Sequence, residues 1–378
     1  MRIGIDARAW RWTGIGRYAR NLLATVSALA AAEAAPRWEF IVFLSPQDAH
    51  QVSGLPGVRV IPVRDSYYSL YEQTGFLRQL RSVKLDLMHF LNFNAPVLYR
   101  RPFLVTIHDL TRFHFRGQRH RGWFRQIMYE QVCHASVHGA RRIIAVSEHT
   151  RDRLGQRFPC TAGKTSVIYE GVDERFLAPS SGSDERGTVA RLRGVGIARP
   201  YLLYVGLWME HKNLQGLIRA FRLVREAGYA GALVVTGEGR PWDVKVRVLA
   251  AAEGVNEHLI LPGYVRDEDL PALYRGADLL VFPSLSEGFG FPPLEAMAVG
   301  TPVVAARSGS LPEILGDAAA YADARDASAL AAAVGRVLGY RAFRDRLIGA
   351  GHARARTFRW RTCGERTLEL YGAYSGSP

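Results

Sequence analysis

Apolar and polar positions follow two rhythms along this chain. Short runs rich in β-branched and aromatic residues recur at Ile3–Ala7, Phe40–Leu44, Val58–Val63, Leu87–Leu91, Phe103–Ile107, Arg142–Val146 and Ser166–Tyr169. Most are continuous rather than alternating, the pattern of a strand buried on both faces. Between several of them apolar residues return at helical spacing, over Gly16–Ala34, Tyr71–Arg81 and Arg121–His138. Strands alternating with helices predict a parallel sheet covered on both sides.

The rhythm breaks at Pro179-Ser-Ser-Gly-Ser-Asp-Glu-Arg-Gly, which is polar and turn-rich. This predicts a linker over 179–199 between a first domain at 1–178 and a second at 200–357. The alternation then restarts with strands at Tyr201–Val205, Ala232–Thr236, Leu259–Leu261, Leu279–Pro283 and Pro302–Ala306. Helices are predicted between them at Leu214–Glu226, Trp242–Glu253, Leu270–Arg275 and Asp326–Leu338. No short sequence repeat is present; the architecture itself recurs. At 378 residues the chain exceeds one ordinary core, so the fold class predicted is α/β, two Rossmann-like domains with a cleft between them. After the second domain, Trp360, Cys363, Thr367, Leu368 and Tyr371 recur at helical spacing. That terminal segment, 358–378, either packs back on the first domain or closes the second.

One segment carries the chemistry. Asp278-Leu-Leu-Val-Phe-Pro283 reads as a buried strand, Ser284-Leu-Ser-Glu-Gly-Phe-Gly-Phe as a glycine-bearing loop, and Pro292-Pro-Leu-Glu-Ala-Met-Ala as a helix start. Strand end, glycine loop and helix start together form the usual ligand position of an open α/β sheet. Backbone N–H groups near Gly288–Phe291 and the helix dipole favour an anion such as a diphosphate. Glu287 in the loop and Glu295 in the first turn flank it. Each has a bland alternative, a solvated loop residue and a helix-end charge. Together their carboxylates suit the paired hydroxyls of a sugar or ribose.

Other candidates are weighed singly. Gly14-Ile-Gly16-Arg17 opens the first helix but lacks the third glycine of a dinucleotide fingerprint, so a plain tight turn is the alternative. His108-Asp109 ends a strand, where ligands bind, although a lone histidine is more often structural. Lys212 follows the first strand of the second domain, with a surface lysine as the alternative. Asp267-Glu-Asp269 has metal-binding spacing, yet it precedes Leu270-Pro-Ala-Leu-Tyr and reads better as an N-capping cluster.

Composition narrows the class. Hydrophobic residues at 48% and charged residues at 22% describe a folded globular protein. No apolar run reaches the length of a transmembrane helix, and Met1-Arg-Ile-Gly-Ile reads as a strand rather than a signal peptide. Cys133, Cys160 and Cys363 suit neither a disulfide framework nor a zinc site, which predicts a cytoplasmic setting. The net charge is +14, and residues 1–180 hold 25 Lys+Arg against 14 Asp+Glu, a net of +11. Such a field favours nucleic acid, an acidic membrane surface or a phosphorylated substrate. Within it, segment 112–125 is basic with interleaved aromatics. No nucleic-acid motif accompanies it, so nucleic acid is not expected; besides a plain exposed basic loop, its cations and aromatics suit an anionic membrane surface.

The run Glu287 to Glu295, followed by Ala-Met-Ala-Val-Gly-Thr-Pro-Val-Val and Gly309-Ser-Leu-Pro-Glu-Ile, closely resembles the retaining glycosyltransferases of family four. Thr13-Gly-Ile-Gly-Arg-Tyr, Ile107-His-Asp, Val146-Ser-Glu, Tyr169-Glu-Gly-Val, Tyr204-Val-Gly and His211-Lys-Asn-Leu extend the resemblance over nearly the whole chain. It implies the GT-B fold, two Rossmann-like domains facing across a central cleft, with the first domain binding the acceptor.

The same resemblance implies site roles. Catalysis falls to Glu287 orienting the donor sugar, Lys212 neutralising the leaving diphosphate and His108 touching the transferred sugar. Donor binding falls to Gly14, Gly16 and Arg17 beside the diphosphate, to the loop Gly288, Phe289, Gly290 and Phe291, and to Glu295 on the ribose. Where many relatives carry an arginine, this chain has Leu207 and His211, so His211 or Arg17 is expected to supply the second cation. Neither a metal nor a cofactor is implied beyond the nucleotide sugar. The motifs are most similar to bacterial mannosyltransferases of O-antigen and surface-polysaccharide assembly. GDP-mannose is therefore the first donor expected, with UDP-linked sugars next, and the acceptor is a glycan or polyprenyl-diphosphate-linked saccharide. A peripheral place on the inner face of the cytoplasmic membrane follows. A nucleotide-sugar epimerase would need a further acid–base pair, and an inactive binding protein would not need Lys212, Glu287 and Glu295 together.

Overall fold

The computed structural model describes residues 1–33, 37–64, 66–113, 115, 123–178, 182–237 and 242–374, with backbone alone at 123–125, 182–185 and 242. The chain forms two compact units, one of Met1–Gly171 with Arg359–Pro378, the other of Val172–Phe358.

The first unit is built on β1 (Arg2–Asp6), β2 (Glu39–Leu44), β3 (Val58–Pro62), β4 (Leu87–Phe90), β5 (Phe103–Ile107), β6 (Arg142–Ala145) and β7 (Thr165–Val167). All pair in parallel, in the order β3-β2-β1-β4-β5-β6-β7. The order reverses between β1 and β4, which makes that crevice the unit's topological switch point. Burial explains the apolar runs: β4 and β5 are buried at every position. Phe43, Phe76, Met88, Phe90, Val105 and Val132 fill one layer of the core. Each such side chain contributes about 1.5–3 kcal/mol on leaving water, and Phe43 meets Phe76 edge-on at 5.7 Å.

The second unit repeats the plan with β8 (Tyr201–Val205), β9 (Ala232–Thr236), β10 (Leu259–Gly263), β11 (Leu279–Phe282), β12 (Val303–Ala306) and β13 (Ala320–Ala322). The order β10-β9-β8-β11-β12-β13 is again parallel, with its switch point between β8 and β11. Strand β13 goes beyond the expectation: Ala-Tyr-Ala has helical propensity, and pairing with β12 overrides it.

Several boundaries differ from those expected. The first unit ends at Gly171 rather than 178, and 182–194 of the expected linker form a helix within the second unit. That helix is tied down by Arg191, which pairs with Asp269. Helix Glu148–Arg157 is also additional; Ser147 caps it by accepting from the Thr150 N–H at 3.1 Å, while only Thr150 and Leu154 are buried. Helix Arg341–Ala355 likewise buries little, only Leu347, Gly351 and Ala355. The stretch Tyr71–Arg81 begins as a π turn, Glu72–Phe76, before the helix Leu77–Ser82.

The terminal helix, Trp360–Gly372, packs on helix Gly14–Ala31 of the first unit. Gly364 lies so close that an added Cβ would sit 2.6 Å from Thr25. Tyr371 reaches His89 of β4 with a 2.7 Å hydrogen bond. Trp360, Cys363, Thr367 and Tyr371 are buried, and Leu368 is half-buried.

Candidate functional site

In the second unit the loops after β8 and β11 meet at the switch point. A 3-10 turn, Glu210–Lys212, follows β8, and Asn213 takes a left-handed conformation at φ 55°. The Asn213 side chain caps the helix Leu214–Glu226 by accepting from the Gly216 N–H at 3.2 Å. Its amide donates to the carbonyls of Pro283 at 3.3 Å and Ala324 at 2.6 Å. The Leu285 N–H donates to the His211 carbonyl at 2.7 Å, so the two loops are stitched together.

This stitching brings Lys212 and Glu287 into contact. Lys212 Nζ donates to Glu287 Oε1 at 2.6 Å, with the side chains 16% and 11% exposed. The ammonium also lies 5.5 Å from the centre of the Phe282 ring. Such a pair, mostly but not wholly buried, keeps a cation and a carboxylate fixed where the sheet order reverses.

Glu287 is held from behind by the loop after β12. Ser310 donates its N–H and its hydroxyl to the Glu287 carbonyl, both at 3.2 Å, and its hydroxyl also reaches the Phe289 carbonyl. Gly309 makes that approach possible. At φ 58° it is left-handed, and a Cβ there would stand 2.7 Å from the Glu287 nitrogen and 2.8 Å from its oxygen. Gly309→Ala is therefore expected to cost about 1–3 kcal/mol in urea unfolding and to weaken any function that depends on the Lys212–Glu287 pair.

The glycine loop differs in detail from the expectation. Phe289 is a core anchor, packed on Phe291 at 5.5 Å and Phe358 at 5.6 Å. Gly290, at φ 106°, precedes the helix Phe291–Ala298. Pro292 and Pro293 carry no N–H, so within the first helical turn only Phe291 could offer a donor to an anion, beside the loop Gly288–Gly290. Glu295 is not a helix-end charge either: it lies beyond the first turn and is 2% exposed. Tyr274, fully buried, donates its hydroxyl to Glu295 Oε2 at 2.8 Å. Sequence inspection passes over Tyr274 because it sits inside an ordinary amphipathic helix.

Asp269 does not cap that helix through its side chain. It is bridged by Arg191 and by Arg266 at 2.9 Å. Burial would raise the carboxyl, but these two arginines hold it below the usual carboxylate range. Among the described residues no group of three His, Cys, Asp or Glu could hold a metal ion.

In the first unit, His108 stands at the end of β5. Its Nδ1 lies 3.0 Å from Glu170 Oε1 and its Nε2 2.8 Å from the Leu91 carbonyl. Asp109 serves the turn, accepting from the Thr111 N–H at 2.8 Å. Gly16 is explained by packing: a Cβ there would sit 2.3 Å from the Trp10 carbonyl oxygen. Gly14 is exposed, with open space around it. Arg17 sits close enough to Glu170 to favour its ionised form.

Sequence inspection also passes over a buried ion network at this switch point. Arg8, just beyond β1, bonds Asp6 at 2.8 and 2.9 Å, Glu72 at 2.9 Å, and the carbonyls of Ser66 and Asn94. Its guanidinium lies over Phe76 at 3.9 Å. The signal was present in Ile-Asp-Ala-Arg, charges at the end of a buried strand.

Segment 112–125 lies largely outside the described residues. At its near end Arg112 lies over Tyr129 at 4.8 Å, and Phe113 packs on Tyr129 and Phe158. Cys133, Cys160 and Cys363 are free thiols. No helix among the described residues is long and apolar enough to cross a membrane.

Residues 12–176 match the family described as Glycosyltransferase Family 4, and residues 196–354 match Glycosyl transferases group 1. The O-antigen chain mannosyltransferase B of Escherichia coli is 30% identical, over 95% of this chain and 96% of its own. The chain belongs to glycosyltransferase family four. A D-inositol 3-phosphate glycosyltransferase of Salinispora tropica is 33% identical over 72% of this chain and 59% of its own. Among solved structures, sucrose-phosphate synthase from Thermosynechococcus elongatus superposes with a TM-score of 0.79 at 22% identity, over 100% of both chains. The two parallel-sheet units are thus those of a GT-B glycosyltransferase, and the enzyme is a hexosyltransferase.

Proposed function

We propose that this family-four enzyme transfers mannose from GDP-mannose, with retention of configuration, to a glycan or polyprenyl-diphosphate-linked saccharide in surface-polysaccharide assembly. The observation that carries the reading is the Lys212–Glu287 pair at the switch point of the second sheet. The sugar is argued from the Escherichia coli relative, whose name is that of an O-antigen mannosyltransferase and which matches almost end to end.

In this reading Lys212 exchanges part of its contact with Glu287 for the donor diphosphate. The bond between the anomeric carbon and the β-phosphate oxygen breaks, and its electron pair goes to that oxygen. Lys212 and the backbone N–H groups of Gly288–Phe291 stabilise the charge that grows there. The acceptor oxygen bonds the anomeric carbon from the same face, and its proton passes to the departing phosphate oxygen. Glu287 orients the sugar, and Glu295, held by Tyr274, takes the ribose hydroxyls. The charge balance at the diphosphate is met by protein groups, so no metal or further cofactor enters the proposal. Arg17 or His211 is the second cation, and the basic first half seats the protein on an anionic membrane surface.

The reading is tested with a panel of nucleotide sugars. GDP-mannose is expected to raise the melting temperature and to be hydrolysed slowly without acceptor. A response to UDP-sugars alone would overturn the donor assignment and leave the transferase intact.

A further inference from the structure

Both ring nitrogens of His108 are committed. A carbonyl oxygen only accepts, so the 2.8 Å contact with Leu91 requires a hydrogen on Nε2. Nδ1 then faces the Glu170 carboxylate at 3.0 Å. Glu170 is 2% exposed and the His108 side chain 13%, so the pair is shielded but not sealed. Neutral histidine has one N–H, and this environment offers acceptors to two.

The neighbours are consistent with a shared proton. Arg17, on helix Gly14–Ala31, lies near Glu170, and Asp109 lies near the ring. Tyr18 meets the His108 ring edge-on at 4.8 Å. Burial, and then the charge of nearby Glu170, push up the thiol of Cys363 on the terminal helix. His89 on neighbouring β4 is the contrast: its nitrogens meet the hydroxyls of Tyr371 and Thr106, which can donate or accept. Burial, with the nearby His108, lowers His89 to about 3 and leaves it neutral.

We propose that Glu170 is a positioning residue for sugar transfer: its carboxylate fixes His108 as a donor through both nitrogens and so sets which edge of the ring faces outward at the end of β5. This rests on the transferase reading above. It follows that His108 takes no proton from an acceptor hydroxyl, which agrees with that proton leaving on the phosphate. The titration behaviour is consistent. Burial would lower the His108 pKa, but the bond and charge of Glu170, with Leu91 and Asp109, raise it above its ordinary value. Burial raises the Glu170 carboxyl as well, so both shifts retain a proton between the two side chains.

The test compares wild type with Glu170→Gln and Glu170→Asp. In nitrogen-detected NMR, both His108 nitrogens of the wild type should stay protonated through neutral pH. In Glu170→Gln the midpoint should fall by about 1–3 pH units. With the same variant kcat should drop roughly tenfold, with little change in donor KM, and the alkaline limb of the rate profile should move down in step. Glu170→Asp keeps the charge and should recover part of that limb. Because the histidine is raised, the pair's stability is present at acid pH and is lost as pH climbs through the raised value. The wild type's advantage over Glu170→Gln in thermal melts should therefore shrink with rising pH. An unchanged His108 titration in Glu170→Gln, or a lowered melting temperature with an unmoved rate profile, would overturn the proposal. If the wild type consumes no nucleotide sugar, the transferase reading fails while the titration still decides the pairing.

Discussion

Lys212→Ala and Glu287→Ala, made singly, are each expected to slow sugar transfer by about 100- to 1,000-fold, the loss that follows removal of one group stabilising developing charge. The fold should survive. The pair is 16% and 11% exposed, so removing one partner leaves the other charge partly shielded and should cost about 1–3 kcal/mol, short of unfolding the protein. The double variant should be hardly slower than the worse single one. Glu287 holds the Lys212 ammonium at 2.6 Å, and groups that act as a unit lose their effect together. Single-turnover rates and urea midpoints for the three variants check this. Full activity in either single variant would remove the pair from the reaction.

Arg8→Ala is expected to be the most destabilising substitution considered, by about 3–5 kcal/mol. The Arg8 side chain is fully buried, as is that of Glu72, and Asp6 is nearly so. Burial disfavours the guanidinium, yet Asp6 above all, with Tyr67 and Glu72, holds its pKa above the ordinary value. Removing it strands two carboxylates in the core. Burial already raises Glu72 against the pull of Arg8, and without Arg8 it would rise further. A folded state that binds extra protons gains stability as pH falls. The deficit of Arg8→Ala in chemical denaturation should therefore be greatest near neutral pH and shrink under acid conditions.

The second sheet's switch point was readable because strand, glycine loop and proline-started helix follow one another within a short stretch. What sequence could not show is who meets whom. Lys212 and Glu287 are 75 positions apart, and the Ser310 grip on the Glu287 carbonyl needs a third loop. Glu295 looked like a helix-end charge because proline starts the helix; its partner Tyr274 lies in another helix. The helix Gly182–Gly194 was hidden by a polar surface that depends on Arg191 and Asp269, and β13 by a composition that favours helix. Glu170 was visible in Tyr-Glu-Gly-Val, but only the fold sets it against His108.

The opened assignment of donor and acceptor is decided by one measurement. The purified enzyme is incubated with GDP-mannose or a UDP-sugar and a lipid-linked saccharide, and the acceptor is analysed by mass spectrometry. The account predicts that the acceptor gains one hexose from GDP-mannose, that GDP is released, and that both depend on Lys212 and Glu287. An acceptor left unchanged by every nucleotide sugar, with no donor consumed, would contradict it.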